Sequence, residues 1–224
     1  MSTSAPVVIV VAHGDDVPAS VRARVPADAA VVAADSGVDL ALQLGLHVDV
    51  AVGDFDSVTA AGLDRAIADG ARIVRHPEAK DHTDLELALA EAVLLGAARI
   101  VVIGGGGGRL DHLFAGALLL ASPRYVDVAI SAHLGTARVH VIRPAHPCFV
   151  DGTPGELLTL LPVGGAARGV LTDGLAYPLH GEDLDAGTTR GVSNVLTGTT
   201  AQISLTDGTL LCVLPGVLDE GNHP

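Results

Sequence analysis

The chain reads as an α/β protein: a mostly parallel sheet domain over residues 1–143, then a small antiparallel β-sandwich domain over 144–224. Three observations predict this. Short, almost wholly apolar runs alternate with helical patterns through the first half, as expected of parallel strands covered on both faces. Acidic and glycine clusters follow several of those runs directly. After about Arg143 the helical periodicity stops, and glycine, threonine and short apolar runs take over. The first half is therefore Rossmann-like, and in such open sheets ligands bind beyond the carboxyl ends of the strands.

The expected strands of the first half are Val7–Val11, Ala30–Ala34, Val48–Val52, Arg72–Arg75, Arg99–Ile103 and Val126–Ile130. Helices are expected over Gly37–Leu44, Ala60–Asp69, Asp84–Leu95 and Leu110–Leu120. In the second half, Leu157–Leu161, Arg168–Leu171, Gln202–Leu205 and Leu210–Leu214 read as strands. The last two flank Asp207-Gly208, a two-residue hairpin signal. Pro144–Pro147 is expected to be a hinge.

Composition narrows the function. Of 224 residues, 49% are apolar, enough for a sizeable core, yet no apolar run reaches the length of a membrane-spanning helix. The net charge of -13 and a single lysine, Lys80, argue against nucleic-acid or anionic-membrane partners, which call for a basic face. No basic residue precedes the apolar run Val7–Ala12, so no secretory signal is expected and the cytoplasm is the expected location. Cys148 and Cys212 lack CxxC spacing and sit in apolar surroundings, the pattern of buried reduced thiols. The histidines show no zinc-binding spacing.

Three clusters carry chemistry. Gly53-Asp54-Phe55-Asp56-Ser57 follows the third strand, Lys80-Asp81-His82-Thr83-Asp84 the fourth, and Arg109-Leu110-Asp111-His112 follows five glycines after the fifth. Asp35 follows the second strand. Carboxylates in short loops at one rim, with basic residues beside them, suggest Mg²⁺ and a polyphosphate, because hard cations take oxygen ligands. Asp54 and Asp56, two apart in an extended strand end, could face one cation. They could equally, with Ser57, cap the helix starting near Thr59. Thr83 and Glu86 form a capping box, which leaves Lys80, Asp81 and His82 unexplained. The glycine run, including Gly107 and Gly108, would let backbone amides approach phosphate oxygens, with Arg109 as a fixed cation beside it. His112 is either a packing histidine or a ligand contact.

In this order and spacing, the clusters Ala34-Asp35-Ser36-Gly37, GDFDS at 53–57, KDHTD at 80–84 and GGRLDH at 107–112 resemble the thiamine pyrophosphokinase family. Gly191-Val192-Ser193-Asn194 resembles that family's late GxSN-type element, although Val195 follows it where many members carry an acidic residue. The resemblance runs over nearly the whole chain. It implies a homodimer with the site at the subunit interface, an α/β catalytic domain and a β-sandwich that helps bind thiamine. The implied reaction moves the β,γ-diphosphate of ATP to the thiamine hydroxyl and releases AMP. Asp54, Asp56 and Asp84 would hold Mg²⁺ and, with Arg109, carry the catalysis. Asp35, Ser57, Lys80, Asp81, Thr83, Gly107, Gly108, Asp111 and His112 would complete the ATP site. Ser193, Asn194 and Tyr177 would contact thiamine. Two other readings stay open: a pyrophosphokinase acting on another alcohol, such as a hydroxymethyl pterin, and a non-catalytic nucleotide- or thiamine-binding regulator.

Overall fold

The structure, a computed structural model, describes residues 6–13, 17–77, 81–106 and 109–216. They form two compact units: Met1–Leu119 with Ala132–Gly135, and Leu120–Ser131 with Thr136–Pro224.

In the first unit, strands β1 (Val7–Val11), β2 (Ala30–Ala34), β3 (Val50–Gly53), β4 (Arg72–Arg75) and β5 (Arg99–Ile103) lie in the order β5-β1-β2-β3-β4. Every neighbouring pair is parallel. Helices α1 (Gly37–Gln43), α2 (Ala60–Ala68), α3 (Asp84–Leu94) and α4 (Leu110–Leu120) alternate with them. The inner strands are apolar throughout because both of their faces are covered; every residue of β3 is buried. Edge strand β4, with arginine at both ends, is not. Parallel pairing places the carboxyl ends of β2, β3, β4 and β5 along one rim, so the residues after them share an edge.

In the second unit, β12 (Asn194–Val195), β9 (Leu157–Pro162), β14 (Leu210–Leu214) and β7 (Ala137–Ile142) form one antiparallel layer. A second layer has the order β11-β10-β13-β8, from His180–Leu184, Ala167–Asp173, Thr200–Ser204 and Cys148–Asp151. Leu158, Leu160, Leu210 and Cys212 of one layer share a buried core with Val150, Val170, Leu184 and Ile203 of the other. This is the sandwich. Cys148 and Cys212 are both free thiols inside it. Burial pushes Cys148 up to about 12 and Cys212 well above its ordinary value, so both stay protonated.

Three local expectations change. Asp207-Gly208 does not close a hairpin: β13 pairs with β8 and β10, whereas β14 pairs with β7 and β9. The turn carries the chain from one layer to the other, held by Arg168, whose N–H donates to the Asp207 carbonyl at 2.8 Å. Gly208 is required there, with φ +94° and the Ala166 oxygen only 2.5 Å from where a Cβ would stand. Pro144–Pro147 is a turn inside the second unit, closed by the His146 N–H on the Arg143 carbonyl at 2.9 Å. The strand expected at Val126–Ile130 is β6 (Ala129–Leu134), because Pro123–Tyr125 winds into a 3-10 turn capped by Ser122.

Arg143 is buried, and its guanidinium donates to the carbonyls of Tyr125 (3.0 Å), Ser122 (3.0 Å) and Leu120 (3.4 Å). Burial lowers its pKa, which marks the cost of holding the charge there. Arg143→Met would strip the guanidinium from three carbonyls, of which those of Ser122 and Tyr125 keep only a backbone donor, and we expect a loss of about 2 kcal/mol in urea unfolding. An unchanged urea midpoint would mean that water replaces the guanidinium.

Candidate active site

Asp35 is the first residue after β2 and is held in left-handed backbone at φ +46°. Its N–H donates to the Val52 carbonyl at 2.9 Å, and its own carbonyl accepts the Val38 N–H at 3.0 Å. That locks the residue between β3 and α1, with its side chain buried. Asp54 follows β3, and Asp84 opens α3. One carboxylate oxygen from each of Asp35, Asp54 and Asp84 lies within 4.8 Å of the others. Gly53 permits this approach, since a Cβ on it would stand 3.1 Å from Asp84 Oδ1 and 3.2 Å from Asp35 Cβ.

Two oxygens of this group differ in what they meet. Asp35 Oδ2 accepts the Ser57 hydroxyl at 2.7 Å. Asp35 Oδ1 is fully buried and, among the described residues, meets no hydrogen-bond donor. A buried carboxylate oxygen without a donor is costly, and the cost rises when two more carboxylates converge on it. Each pair of charges near 5 Å repels by roughly 3 kcal/mol at an effective dielectric near 20. A divalent cation answers both problems. The donor set, three carboxylates with no histidine or cysteine, is one that suits hard divalent cations as a class.

Asp56 is placed differently from Asp54. Extended backbone would have put both carboxylates on one side, but Phe55 between them has φ +66° and breaks the alternation. Asp56 instead reaches the Ser57 hydroxyl at 2.8 Å, and its N–H donates to Asp54 Oδ1 at 3.3 Å. The third member of the trio is Asp35. Capping does not account for this loop either. Thr59 caps α2, accepting the Gly62 N–H at 3.0 Å, and Asp39 of α1 takes the Thr59 N–H (2.8 Å) and hydroxyl (2.6 Å). Arg75, at the end of β4, lies over the Phe55 ring at 4.8 Å and points Nη1 towards the Asp54 carbonyl at 3.5 Å. Reading the sequence missed this cation; its place after an apolar run on the same rim was the available signal.

Thr83 caps α3 by accepting the Glu86 N–H at 3.3 Å. Glu86 also meets His82 Nδ1 at 3.2 Å, a structural pair. Asp81 is exposed ahead of the helix. Lys80, Gly107 and Gly108 lie outside the described residues. In the glycine run, the Gly104 N–H is bound to the His133 carbonyl at 2.9 Å and the Gly105 N–H to the His13 carbonyl at 2.7 Å. Those two amides therefore do not cradle phosphate. Gly104 serves packing, since a Cβ on it would collide with the Ala12 oxygen, whereas Gly105 has room for a Cβ but is held in left-handed backbone at φ +81°.

Arg109 grips Asp111 with two hydrogen bonds, Nε to Oδ1 at 3.1 Å and Nη2 to Oδ2 at 2.6 Å. Both side chains are exposed, as is His112 in the same turn. The guanidinium draws the Asp111 carboxyl down to about 2. The pair thus stays ionised through the neutral range, and its contribution is lost only as pH falls through that value. A phosphate reaching Arg109 would compete with Asp111 for the same fork.

In the second unit, the late motif is built from backbone demands. Gly191 lies so close to β9 that a Cβ would stand 2.3 Å from the Leu160 oxygen. Ser193 is exposed and left-handed at φ +58°, its N–H on Thr159 Oγ1 at 3.1 Å. Asn194 is buried, and its amide latches the Tyr177 backbone in both directions. Oδ1 accepts the Tyr177 N–H at 3.0 Å, and Nδ2 donates to the Tyr177 carbonyl at 2.8 Å. The Tyr177 ring itself is 70% exposed.

Two family models match the chain. Residues 23–131 match "Thiamin pyrophosphokinase, catalytic domain" and residues 140–210 match "Thiamin pyrophosphokinase, vitamin B1 binding domain". The thiamine pyrophosphokinase of Bacillus subtilis (strain 168) is 25% identical over 182 residues, covering 81% of this chain and 85% of that protein. Among solved structures, the Bacillus subtilis thiamine pyrophosphokinase aligns at a TM-score of 0.82 and 24% identity, over 95% of this chain and 100% of that one. The thiamin pyrophosphokinase of Geobacillus thermodenitrificans aligns at 0.79 and 28% identity, over 95% of this chain and 99% of that one.

Proposed function

The chain belongs to the thiamine pyrophosphokinase family, and we propose the following assignment of residues to that family's reaction, transfer of the diphosphate of ATP to the hydroxyl of thiamine. The thiamine oxygen attacks the β-phosphorus in line, a new O–P bond forms as the hydroxyl proton passes to solvent, the bond to the α,β-bridging oxygen breaks, and AMP leaves with that oxygen. Little covalent chemistry is asked of the protein; positioning and charge neutralisation carry the rate.

The observation that supports this assignment is the trio Asp35, Asp54 and Asp84 with its orphaned Asp35 oxygen. These residues would hold Mg²⁺, which when bound neutralises phosphate charge and fixes the polyphosphate. Asp56 and Ser57 steady the trio, Ser57 through its hydroxyl on Asp35. Arg109 turns from Asp111 to the phosphates, while Lys80, Asp81, Thr83, Asp111, His112 and the later glycines frame the nucleotide. Mg²⁺ should raise the melting temperature of the free protein and be obligatory for turnover. Full activity in excess chelator would overturn the metal assignment.

The second unit serves the acceptor. The exposed face of Tyr177 suits the cationic thiazolium ring; Ser193 lies in the same motif, and Asn194 holds the Tyr177 backbone in place. Asn194→Asp removes the Nδ2 donor and sets a charge against the Tyr177 carbonyl. We expect the KM for thiamine to rise about 10-fold, with the KM for ATP unchanged. An unchanged thiamine KM would take Asn194 out of acceptor binding. We place the working enzyme in the cytoplasm as a homodimer with sites at the subunit interface. Among the described residues no helix is long and apolar enough to cross a membrane. A pyrophosphokinase for another alcohol would have no use for a vitamin B1 binding domain, and a non-catalytic regulator would have no need to keep all three carboxylates.

A further inference from the structure

Phe55 sits in a backbone conformation that its own side chain disfavours. Its φ of +66° lies in the left-handed region, where a bulky aromatic residue is an outlier. Such strain persists only where the surroundings hold it in place. It has a consequence for the acidic rim, since Asp54 meets Asp35 and Asp84 while Asp56 faces Ser57. A Phe55 relaxed to extended backbone would swing Asp56 to the side of Asp54. It would also draw the Ser57 hydroxyl off Asp35.

We propose that Arg75 is the positioning residue that holds this dihedral angle, and through it selects which carboxylates face the cation. The angle φ measures rotation between the peptide unit joining Asp54 to Phe55 and the rest of Phe55, ring included. Arg75 touches both parts. Its guanidinium lies 4.8 Å from the centre of the Phe55 ring, and Nη1 stands 3.5 Å from the Asp54 carbonyl, which belongs to that peptide unit. The second contact is long, so the ring contact carries more of the hold. Rotation at Phe55 must break one contact or the other.

The arginine is itself anchored. In the parallel pairing of β3 with β4 it stands opposite Gly53, and the His76 N–H donates to the Gly53 carbonyl at 2.9 Å. The Phe55 side chain also packs against the buried core of the first unit. Asp39 holds the far end of the loop through the Thr59 N–H and hydroxyl, which leaves the Phe55 dihedral to the arginine. Arg72, at the other end of β4, is committed to Glu91, whereas Arg75 has no carboxylate partner among the described residues.

Charge alone would set Arg75 against a metal. A fixed cation near three carboxylates repels a divalent ion, so its removal should tighten metal binding. Loss of the clamp should weaken it. The two roles differ in sign, and that makes them separable.

This role rests on the metal assignment proposed above. Mn²⁺ suits the same oxygen donors as Mg²⁺ and serves as the probe, titrated into the nucleotide-free full chain and followed by electron paramagnetic resonance of the free ion. Arg75→Met, at an exposed position, should keep the circular dichroism spectrum and raise the Mn²⁺ dissociation constant about 10-fold. The kcat should fall with it while the KM for thiamine holds. Phe55→Leu keeps an apolar side chain and removes the ring face, so it should weaken Mn²⁺ binding too, with no change of charge. Phe55→Asn supplies a residue that accepts left-handed backbone. In that background Arg75→Met should alter the dissociation constant by no more than about 2-fold, because the two residues act as one unit. Equal or tighter Mn²⁺ binding in Arg75→Met, or the same loss in both backgrounds, would overturn the clamp. A wild type that binds no Mn²⁺ would overturn the metal assignment and the clamp with it. Mn²⁺ binding that weakens as expected, in a protein that makes no thiamine diphosphate, would uphold the clamp and count against the function alone.

Discussion

Asp54→Asn should reduce turnover on the order of 10³-fold, about 4 kcal/mol of transition-state stabilisation. The substitution keeps volume and shape and removes one of three charges that converge within 4.8 Å. Loss of a charged ligand weakens the hold on the cation at the point where phosphate charge must be neutralised. The same loss relieves repulsion in the free protein, so the metal-free variant should melt at or slightly above the wild-type temperature. Activity and stability thus move in opposite directions, which a merely structural aspartate would not produce. The sensitivity of the melting temperature to Mg²⁺ should fall with the activity. Wild-type rates together with an undiminished Mg²⁺ shift would remove Asp54 from the metal site.

Arg109→Lys should lower kcat/KM for ATP about 100-fold while leaving the KM for thiamine near its wild-type value. In the structure the guanidinium engages both Asp111 oxygens at once, and a polyphosphate offers it the same fork geometry. A lysine supplies the charge without the fork. Both side chains are exposed, so the fold should tolerate the change, and circular dichroism and melting would verify that. Unchanged kinetics would leave Arg109 as nothing more than the partner of Asp111.

Much of the first unit was legible because its signals are local. Strands β1, β2, β4 and β5 run as expected from apolar runs alone, since parallel strands buried on both faces leave little room for other readings. The helices follow from periodicity and from Thr83 ahead of Asp84. The strand-end placement of Asp35, Asp54 and Asp84 was legible for the same reason. Which carboxylates converge was not, because it turns on a single dihedral angle at Phe55 that no spacing rule encodes. The amides of Gly104 and Gly105 were misread through a similar gap: their partners are the carbonyls of His133 and His13, distant in sequence. Asp207-Gly208 fits a hairpin locally, and only the pairing of β13 and β14 with different layers shows a crossover. Arg143 gave no sequence signal, since its partners are backbone carbonyls.

Diphosphate transfer from ATP to thiamine at the acidic rim can be read from the products formed. The measurement that tests it most directly is chromatography of all nucleotide and thiamine species after incubating the purified protein with ATP, Mg²⁺ and thiamine, beside a control without thiamine. AMP and thiamine diphosphate should appear in equal amounts, both absent from the control. ADP with thiamine monophosphate, or no thiamine product from folded protein that binds ATP, would contradict it.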